Sequence, residues 1–300
     1  MVTWIPLPSL AYTVYLRLQS ASLALSESSS LKASYSRSFQ YVQQAVVSVS
    51  GSIADAWFTS SPNALPQQSD QYSVGLNKNF LDDALEFSVE GFYKHNRHTI
   101  DLKENPGLVI DNKYREGLLR FGTSDAYGAE FLLKYEFAKV NGWLGYTWSK
   151  CDYHMWRMIP GTDDYRSPIT HQHAVNAVFS WDISNRVNAS ASWVFYSGAP
   201  TTYPALTFQY GGTYVPIYSS RNADSMPDYH RLDLSLTWKT KARLQEKRWS
   251  GEWNFSIYDA YARHNAWSIS TGYNKIDKVT EARMIYIFTI IPSLSYNIKF

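Results

Sequence analysis

Two histidines, His171 and His173, stand two residues apart. A strand would put both on one face, a spacing that could hold a metal ion. They keep the phase of Val175, Phe179 and Trp181, however, and no third ligand keeps it with them; Cys151 is the single cysteine. They read as polar residues at the rim of an apolar face, and no metal is expected. Asp163 and Asp164, with Asp152, suggest a calcium loop but lack its glycine and ligand spacing, so a solvated loop accounts for them. Arg231 and Asp233 share one strand face, and Glu130, Lys134 and Glu136 share one on an earlier strand. Such a set can line a polar path for a ligand, or form charge pairs that tie neighbouring strands. Tyr153, Trp156 and Tyr165 fall in a long connection, where exposed rings can stack on a sugar or an iron chelate. The run Lys239–Arg248 could touch acidic headgroups, although a solvated periplasmic turn is the preferred account of it. There is no Gly-x-Ser-x-Gly elbow, no His-Glu-x-x-His pair and no glycine-rich phosphate loop. The sequence therefore predicts no catalytic residue, no enzyme activity and no cofactor.

The elements that would carry these residues are strands. In the last nine residues, Leu294, Tyr296, Ile298 and Phe300 alternate with Ser293, Ser295, Asn297 and Lys299, and a strand throws successive side chains to opposite faces. About eleven such alternating stretches follow one another. Among them are Leu10–Leu18, Leu31–Tyr41, Tyr72–Phe80, Leu85–Tyr93, Tyr127–Phe137, Leu144–Trp148, Val175–Trp181, Val187–Phe195, Leu232–Trp238 and Trp253–Ile257. Only 18% of residues are charged while 16% are aromatic, including 23 Tyr and 11 Trp. That balance suits girdles of rings at two membrane–water interfaces. A net charge of +2 gives no reason to expect nucleic acid. No apolar run reaches the roughly 20 residues of a membrane helix, so a chain that spans a bilayer must do so as a closed barrel.

Connections alternate short and long, as in transmembrane barrels with tight periplasmic turns and long extracellular loops. The short ones are read at Ser26–Ser30, Asp82-Asp83, Asn141-Gly142, Asp182–Asn185 and Lys239–Arg248; the long ones at Ser48–Asp70, Asp101–Ser124, Tyr153–Thr170 and Ser197–Asp228. No helical pattern is available to cover the apolar faces, and a water-soluble sheet must bury its apolar face. Outer-membrane lipid is the expected partner. The fold class is thus all-β: an antiparallel transmembrane β-barrel in which about 11 strands form an open half of a 22-stranded barrel. Met1–Pro8 lacks the features of a secretory signal, from which residues 1–300 are expected to be one piece of a longer chain.

In the same order along the chain, Leu31–Val42 (LKASYSRSFQYV), Ala126–Lys134 (AYGAEFLLK), Gly198–Pro204 (GAPTTYP), Pro227–Asp233 (PDYHRLD), Phe255–Asn265 (FSIYDAYARHN) and the terminal Phe300 form a recognisable set. The sequence resembles the C-terminal half of the barrel of a TonB-dependent outer-membrane receptor of the kind common in Bacteroidetes. It departs from that pattern at Thr170–His173, where an Asp-Arg-x-His run is usual, and at Asp259, where Asn is usual. The resemblance implies a barrel filled by an N-terminal plug that takes up a scarce ligand with energy passed through TonB, in the outer membrane of a Gram-negative cell. The plug, the first barrel half, the signal peptide and the segment that meets the TonB complex would lie outside these residues. It also implies a periplasmic C-terminus and an assembly signal in Leu294, Tyr296, Ile298 and Phe300, read by the barrel-assembly machinery. Glu130, Lys134, Arg231 and Asp233 become lumen-facing candidates, for ligand passage or plug docking, and Tyr153, Trp156 and Tyr165 become ligand-loop candidates. Two other functions fit the residues: a self-standing porin-like or adhesin-like barrel working without TonB, and a soluble all-β binding domain.

Overall fold

A computed structural model describes residues 17–45, 56–102, 116–117, 119–156, 164–211, 213–218, 220–240, 250–274 and 279–299. Eleven strands form one sheet: β1 (Arg17–Ser26), β2 (Ser29–Gln40), β3 (Gln67–Phe80), β4 (Leu85–Leu102), β5 (Leu119–Phe137), β6 (Val140–Met155), β7 (His173–Ser184), β8 (Val187–Tyr196), β9 (Tyr229–Lys239), β10 (Ser250–Tyr258) and β11 (Ile291–Lys299). Each pairs with its neighbour in chain order, antiparallel throughout, and β1 and β11 are the sheet's outer strands. A three-residue strand, Asp164–Arg166, adds to the end of β6. Separate hairpins join Pro204–Tyr210 to Thr213–Tyr218 and Ser268–Asn274 to Val279–Ile285.

Register turns the alternating sequence into continuous rows. Leu23, Leu31, Leu76, Val89, Phe131, Tyr146, Val175 and Phe195 stand side by side across β1 to β8. Two rungs up on the same face, Tyr35, Tyr72, Tyr93 and Tyr127 form an aromatic row; at the other end Trp238, Trp253 and Tyr296 form a second. Among the described residues nothing covers the band on this face: Leu23, Val74 and Leu294 are 60%, 57% and 59% exposed. One rung beyond the tyrosines the same face becomes charged, through Arg37, Asp70, His95, Asp125 and Asp152. The Arg37 Nε–Asp70 Oδ1 and His95 Nδ1–Asp125 Oδ1 distances are 2.6 and 2.8 Å. An apolar band bounded by rings and then by ion pairs is the lateral profile of a membrane barrel. The opposite face is polar, with Lys32, Gly75, Glu90, Glu130 and Thr147 in one row.

β4 and β5, with 18 and 19 residues, run about 60 Å at some 3.3 Å per residue, well past a band roughly 25 Å tall even when tilted. The ends of β3 to β6 therefore stand clear of the band as a crown, and the buried apolar cluster is there: Phe58 and Ala64 from the β2–β3 connection pack on Ile100, Leu102 and Leu119, with Phe121 alongside. The long connections expected from the sequence begin later than predicted, because β4 continues to Leu102 and β6 to Met155.

Three finer expectations are corrected. The β5–β6 turn is Ala138-Lys139, not Asn141-Gly142: Asn141 and Gly142 are paired strand residues, and a Cβ at Gly142 would fall 2.5 Å from the Tyr135 hydroxyl. That glycine seats a ring. Leu18 lies opposite Ser36 on the polar face, so the apolar face of β1 is carried by Ala21 and Leu23 instead. Tyr286–Ile290 is not strand, and the last strand starts at Ile291 rather than near Met284. Leu10–Leu16, Asp163, most of the Lys239–Arg248 run and Phe300 lie outside the described residues.

Candidate functional site

The crown's chemistry begins with one extra residue. Along β4, Tyr93, His95 and Arg97 pair with Tyr127, Asp125 and Thr123 on the apolar-band face. At His98, whose φ is +58°, the register slips by one, and Thr99 and Asp101 pair with Gly122 and Arg120. A β-bulge exchanges the faces of everything after it. Odd-numbered residues that had pointed outward now point to the polar face, and Asp101 is delivered there.

Asp101 is 2% exposed. It receives an ion pair from Arg221 Nη2 at 2.8 Å, a hydrogen bond from the Tyr165 hydroxyl and another from the Leu102 N–H at 2.8 Å. Arg221 also donates to the Leu102 carbonyl at 2.9 Å, and its guanidinium lies 5.1 Å from the Tyr165 ring centre. Next to it Asn222, 1% exposed, donates to the Arg166 carbonyl at 2.6 Å, and Arg166 returns donors to the carbonyls of Asn222 and Ala223 at 3.2 and 2.7 Å. The β8–β9 connection is thereby fastened to the ends of β4 and β6. Burial pushes the Asp101 carboxyl above its usual range, opposed by Arg221 and Tyr165. Burial likewise raises the Tyr165 hydroxyl and carries Tyr153 up to about 12, so both stay neutral donors.

Tyr153 and Tyr165 are neighbours, their ring centres 5.8 Å apart, whereas Trp156 is 65% exposed and joins neither. Below them the polar face opens into a cavity of about 540 Å³, whose wall includes Gln67, Lys94, Asn96, Asp101, Cys151 and Tyr196. Glu130 and Lys134 lie lower on the polar face; Glu130 is exposed opposite Glu90, and Lys134 meets Glu86 at 3.1 Å. Arg231 and Asp233 are four strands away on β9. Arg231 reaches Asp233 at 2.9 Å and the hydroxyls of Tyr229 and Tyr258 at 2.9 Å each, and Asp233 accepts from the Asp259 N–H at 3.0 Å. These groups clasp the residues that follow β10. The four charged candidates do not converge. Leu294, Tyr296 and Ile298 share the apolar face, with Tyr296 against Trp253 at 4.6 Å. His173 Nδ1 meets the Tyr146 hydroxyl at 2.9 Å and His171 Nδ1 the Ser197 carbonyl at 2.6 Å.

Sequence reading missed Asp101, Arg221, Asn222 and Asn96. No motif marks them: Asp101 meets Arg221 across 120 positions and Asn222 meets Arg166 across 56, Asp101 being placed by a bulge that has no sequence signature, while Asn96 bonds Ser124 of the neighbouring strand.

The profile described as TonB dependent receptor-like, beta-barrel, matches residues 5–263. The chain belongs to the TonB-dependent receptor β-barrel family. Among solved structures it is similar to the ferric-catecholate import receptor Fiu of E. coli, at 14% identity over 94% of this chain and 34% of that one, with a TM-score of 0.55. The ferripyoverdine receptor of Pseudomonas aeruginosa aligns at 13% identity over 95% and 32%, TM-score 0.56. The ferric enterobactin receptor PfeA of the same species aligns at 14% over 93% and 40%, TM-score 0.57. No curated protein matches in sequence. At these identities the likeness establishes the fold, and the chain spans about a third of the length of the receptors it matches. As a member of this family it is an outer-membrane barrel chain, with the sheet not closed on itself.

Proposed function

We propose that the chain is the C-terminal half of a 22-stranded receptor barrel that takes up a scarce ligand, using energy delivered through TonB to a plug outside these 300 residues. The observation that carries this reading is an open, eleven-stranded antiparallel meander inside a match to the receptor-barrel family. The first and last strands of an odd-numbered antiparallel meander run the same way. Joining β1 directly to β11 would therefore need a parallel seam, and further strands are the simpler way to complete the barrel. In this reading the short turns and the C-terminus are periplasmic, the crown is extracellular, and lipid meets the tyrosine-bearing face. Leu294, Tyr296, Ile298 and Phe300 present the signal that the barrel-assembly machinery reads.

Glu130, Lys134, Arg231 and Asp233 then face the lumen, where the pairing of Lys134 with Glu86 and of Arg231 with Asp233 favours a stabilising role, while Tyr153 and Tyr165 stand at the ligand's entrance. Uptake measured in cells that make the protein, with and without a working TonB or proton gradient, tests the proposal. Energised accumulation that stops without TonB is expected. Passage that persists unchanged would replace it with a porin-like barrel.

A further inference from the structure

On the outer face of the crown, four titratable groups from four neighbouring strands stand in one alternating file. His95 of β4 has its Nδ1 2.8 Å from Asp125 Oδ1 on β5. The other oxygen of that carboxylate, Oδ2, lies 3.4 Å from His154 Nε2 on β6. His154 Nδ1 in turn lies 3.0 Å from Oδ1 of Asp164, which opens the short strand Asp164–Arg166 beside β6. Both nitrogens of one imidazole thus face carboxylates. A neutral imidazole has one N–H donor and one lone pair, whereas the imidazolium has two donors. Only the protonated ring satisfies both neighbours. The neutral ring turns a lone pair toward one of two negative oxygens.

The surrounding groups concentrate the effect of a proton on this ring. Asp125 also accepts from the Tyr93 hydroxyl. Lys150 pairs with Asp152 at 2.7 Å, Arg37 with Asp70 at 2.6 Å, and Arg97 of β4 is exposed. His98 meets the Pro66 carbonyl at 3.1 Å, a contact that a neutral ring also makes, as it does the single contact of His95 with Asp125. Aspartates stay ionised above about pH 5, and lysine and arginine stay charged below about pH 9. Near neutrality this tier therefore changes charge at its histidines, and of these His154 is the one bracketed by two acids.

What hangs from this ring is the strand that fastens the crown. Tyr165 donates to Asp101 on the inner side, and Arg166 donates to the carbonyls of Asn222, Ala223 and Asp224. Three register pairs tie the strand to β6, one of them His154 with Asp164, so a clasp on its first residue is a large share of its hold. We propose that His154 is a proton-operated clasp of the crown. Protonated, it bridges Asp125 and Asp164 and holds Asp164–Arg166 against β6; neutral, it keeps one acid and lets the strand fray. The clasped form takes up a proton that the frayed form does not require. Acid therefore favours it, and the hold is lost as pH rises through the range where histidine titrates, about pH 5 to 8. The clasp works whatever the barrel carries, so it stands or falls apart from the receptor reading.

Outer-membrane vesicles from cells that make the protein keep the polypeptide at its natural length. Amide hydrogen exchange of Asp164–Arg166 is compared between the parent and His154→Gln at the same pH, so that intrinsic exchange rates cancel. At about pH 5.5 the parent should exchange roughly threefold more slowly than the variant, the scale of one exposed ion pair. At about pH 8.5 the two should exchange alike. Asp164→Asn should behave as His154→Gln does, and His98→Gln as the parent does. The amides of Asn222 to Asp224, which Arg166 holds, should follow with a smaller change. The side chains of His154 and Asp164 are 42% and 74% exposed, and heat-modifiable migration checks that the variants are folded; if His154→Gln is not, Asp164→Asn decides. The inference is overturned if the parent matches the folded variants at acid pH, if its protection over them grows toward alkaline pH, or if both variants keep the parent's full pH response.

Discussion

The apolar band and the crown are continuous strands of one sheet, yet they are held together by opposite means. In the band, both faces stay open and the large apolar side chains are the exposed ones; order comes from backbone ladders, with rings and side-chain pairs filling the surface. In the crown, the side chains that matter most are polar and nearly dry: Asp101, Asn222, Ser124 and Ser167 are each 2% exposed or less. The band needs a solvent that is itself apolar. The crown makes its own low-dielectric interior by folding connections back on strand ends, and so can hold groups whose hydrogen bonds are specific. One region suits lipid; the other suits recognition.

The sharpest way to break that contrast is at Arg221. Removing one partner of a buried pair strands the other, at a cost of about 3–5 kcal/mol. In Arg221→Ala we expect the β8–β9 connection to come away from β4 and become protease-sensitive, while amides of the band keep their hydrogen-exchange protection. The pH dependence has a definite sign. Burial already raises the Asp101 carboxyl, and without Arg221 it rises further. A group whose folded pKa exceeds its unfolded value is stabilised in the fold by protonation, so stability falls as pH increases through that window. The variant's crown should therefore tighten as pH is lowered from neutral toward the ordinary aspartate range. Equal loss of protection in band and crown would deny that they are separate cooperative regions.

A second substitution pair probes the band. Val89, in the long apolar row on the ring-bearing face of β4, and Ser88, on the other face, differ by one residue and one face. On refolding into lipid vesicles, Val89→Arg should cost about 2–4 kcal/mol, whereas Ser88→Arg on the wet face should cost well under 1. Folding yield against urea measures both. Equal costs would mean that the face assigned to lipid meets something else.

How much of this contrast the sequence discloses follows from its physics. Band strands are legible because period-two alternation is local: Phe87, Val89 and Tyr93 declare their face without knowing their neighbours. The tyrosine row needs register as well, yet each member already lies in an apolar phase. Where alternation is weak the reading slips, as in β1, whose small Ser and Ala residues left Leu18 to be assigned to the wrong face. Turn signals mislead when a glycine has a packing task, as Gly142 does beneath Tyr135. The crown is nearly illegible. Tyr153 and Tyr165 stand out as aromatic residues in an expected connection, whereas Asp101 falls at the start of an expected loop and carries no signal of its own. Its position depends on the bulge at His98 and its partner lies 120 residues away.

The bulge itself offers the next test. Deleting His98 would make Arg97 and Thr99, which already pair with the adjacent Thr123 and Gly122, neighbours in an unbroken ladder, and Asp101 should stay on the polar face with Ile100 and Leu102 on the other. The ion pair with Arg221 and the Phe58 cluster should then survive, and the crown should stay closed, in contrast to Arg221→Ala. His98→Gly should move stability by less than about 1 kcal/mol, because glycine takes positive φ without steric cost but gives up the hydrogen bond from His98 Nδ1 to the Pro66 carbonyl at 3.1 Å.

The smallest expected effect is also diagnostic. Lys134 and Glu86 pair at 3.1 Å on the polar face within the band, with side chains 51% and 40% exposed. Like Arg221 with Asp101 it is an acid–base contact, but it joins paired residues of neighbouring strands and is wet. Water and salt screen it, and holding two long side chains in place offsets much of the attraction, so an exposed pair is worth about 0–1 kcal/mol. Lys134→Ala should leave the unfolding midpoint almost unmoved, and the little change there is should vanish at high salt. If instead it costs as much as Arg221→Ala, the polar face of the band is not open to water when the barrel is complete. Whatever fills the barrel would then press directly on this pair, giving Lys134 a docking role rather than that of a solvated tie between strands.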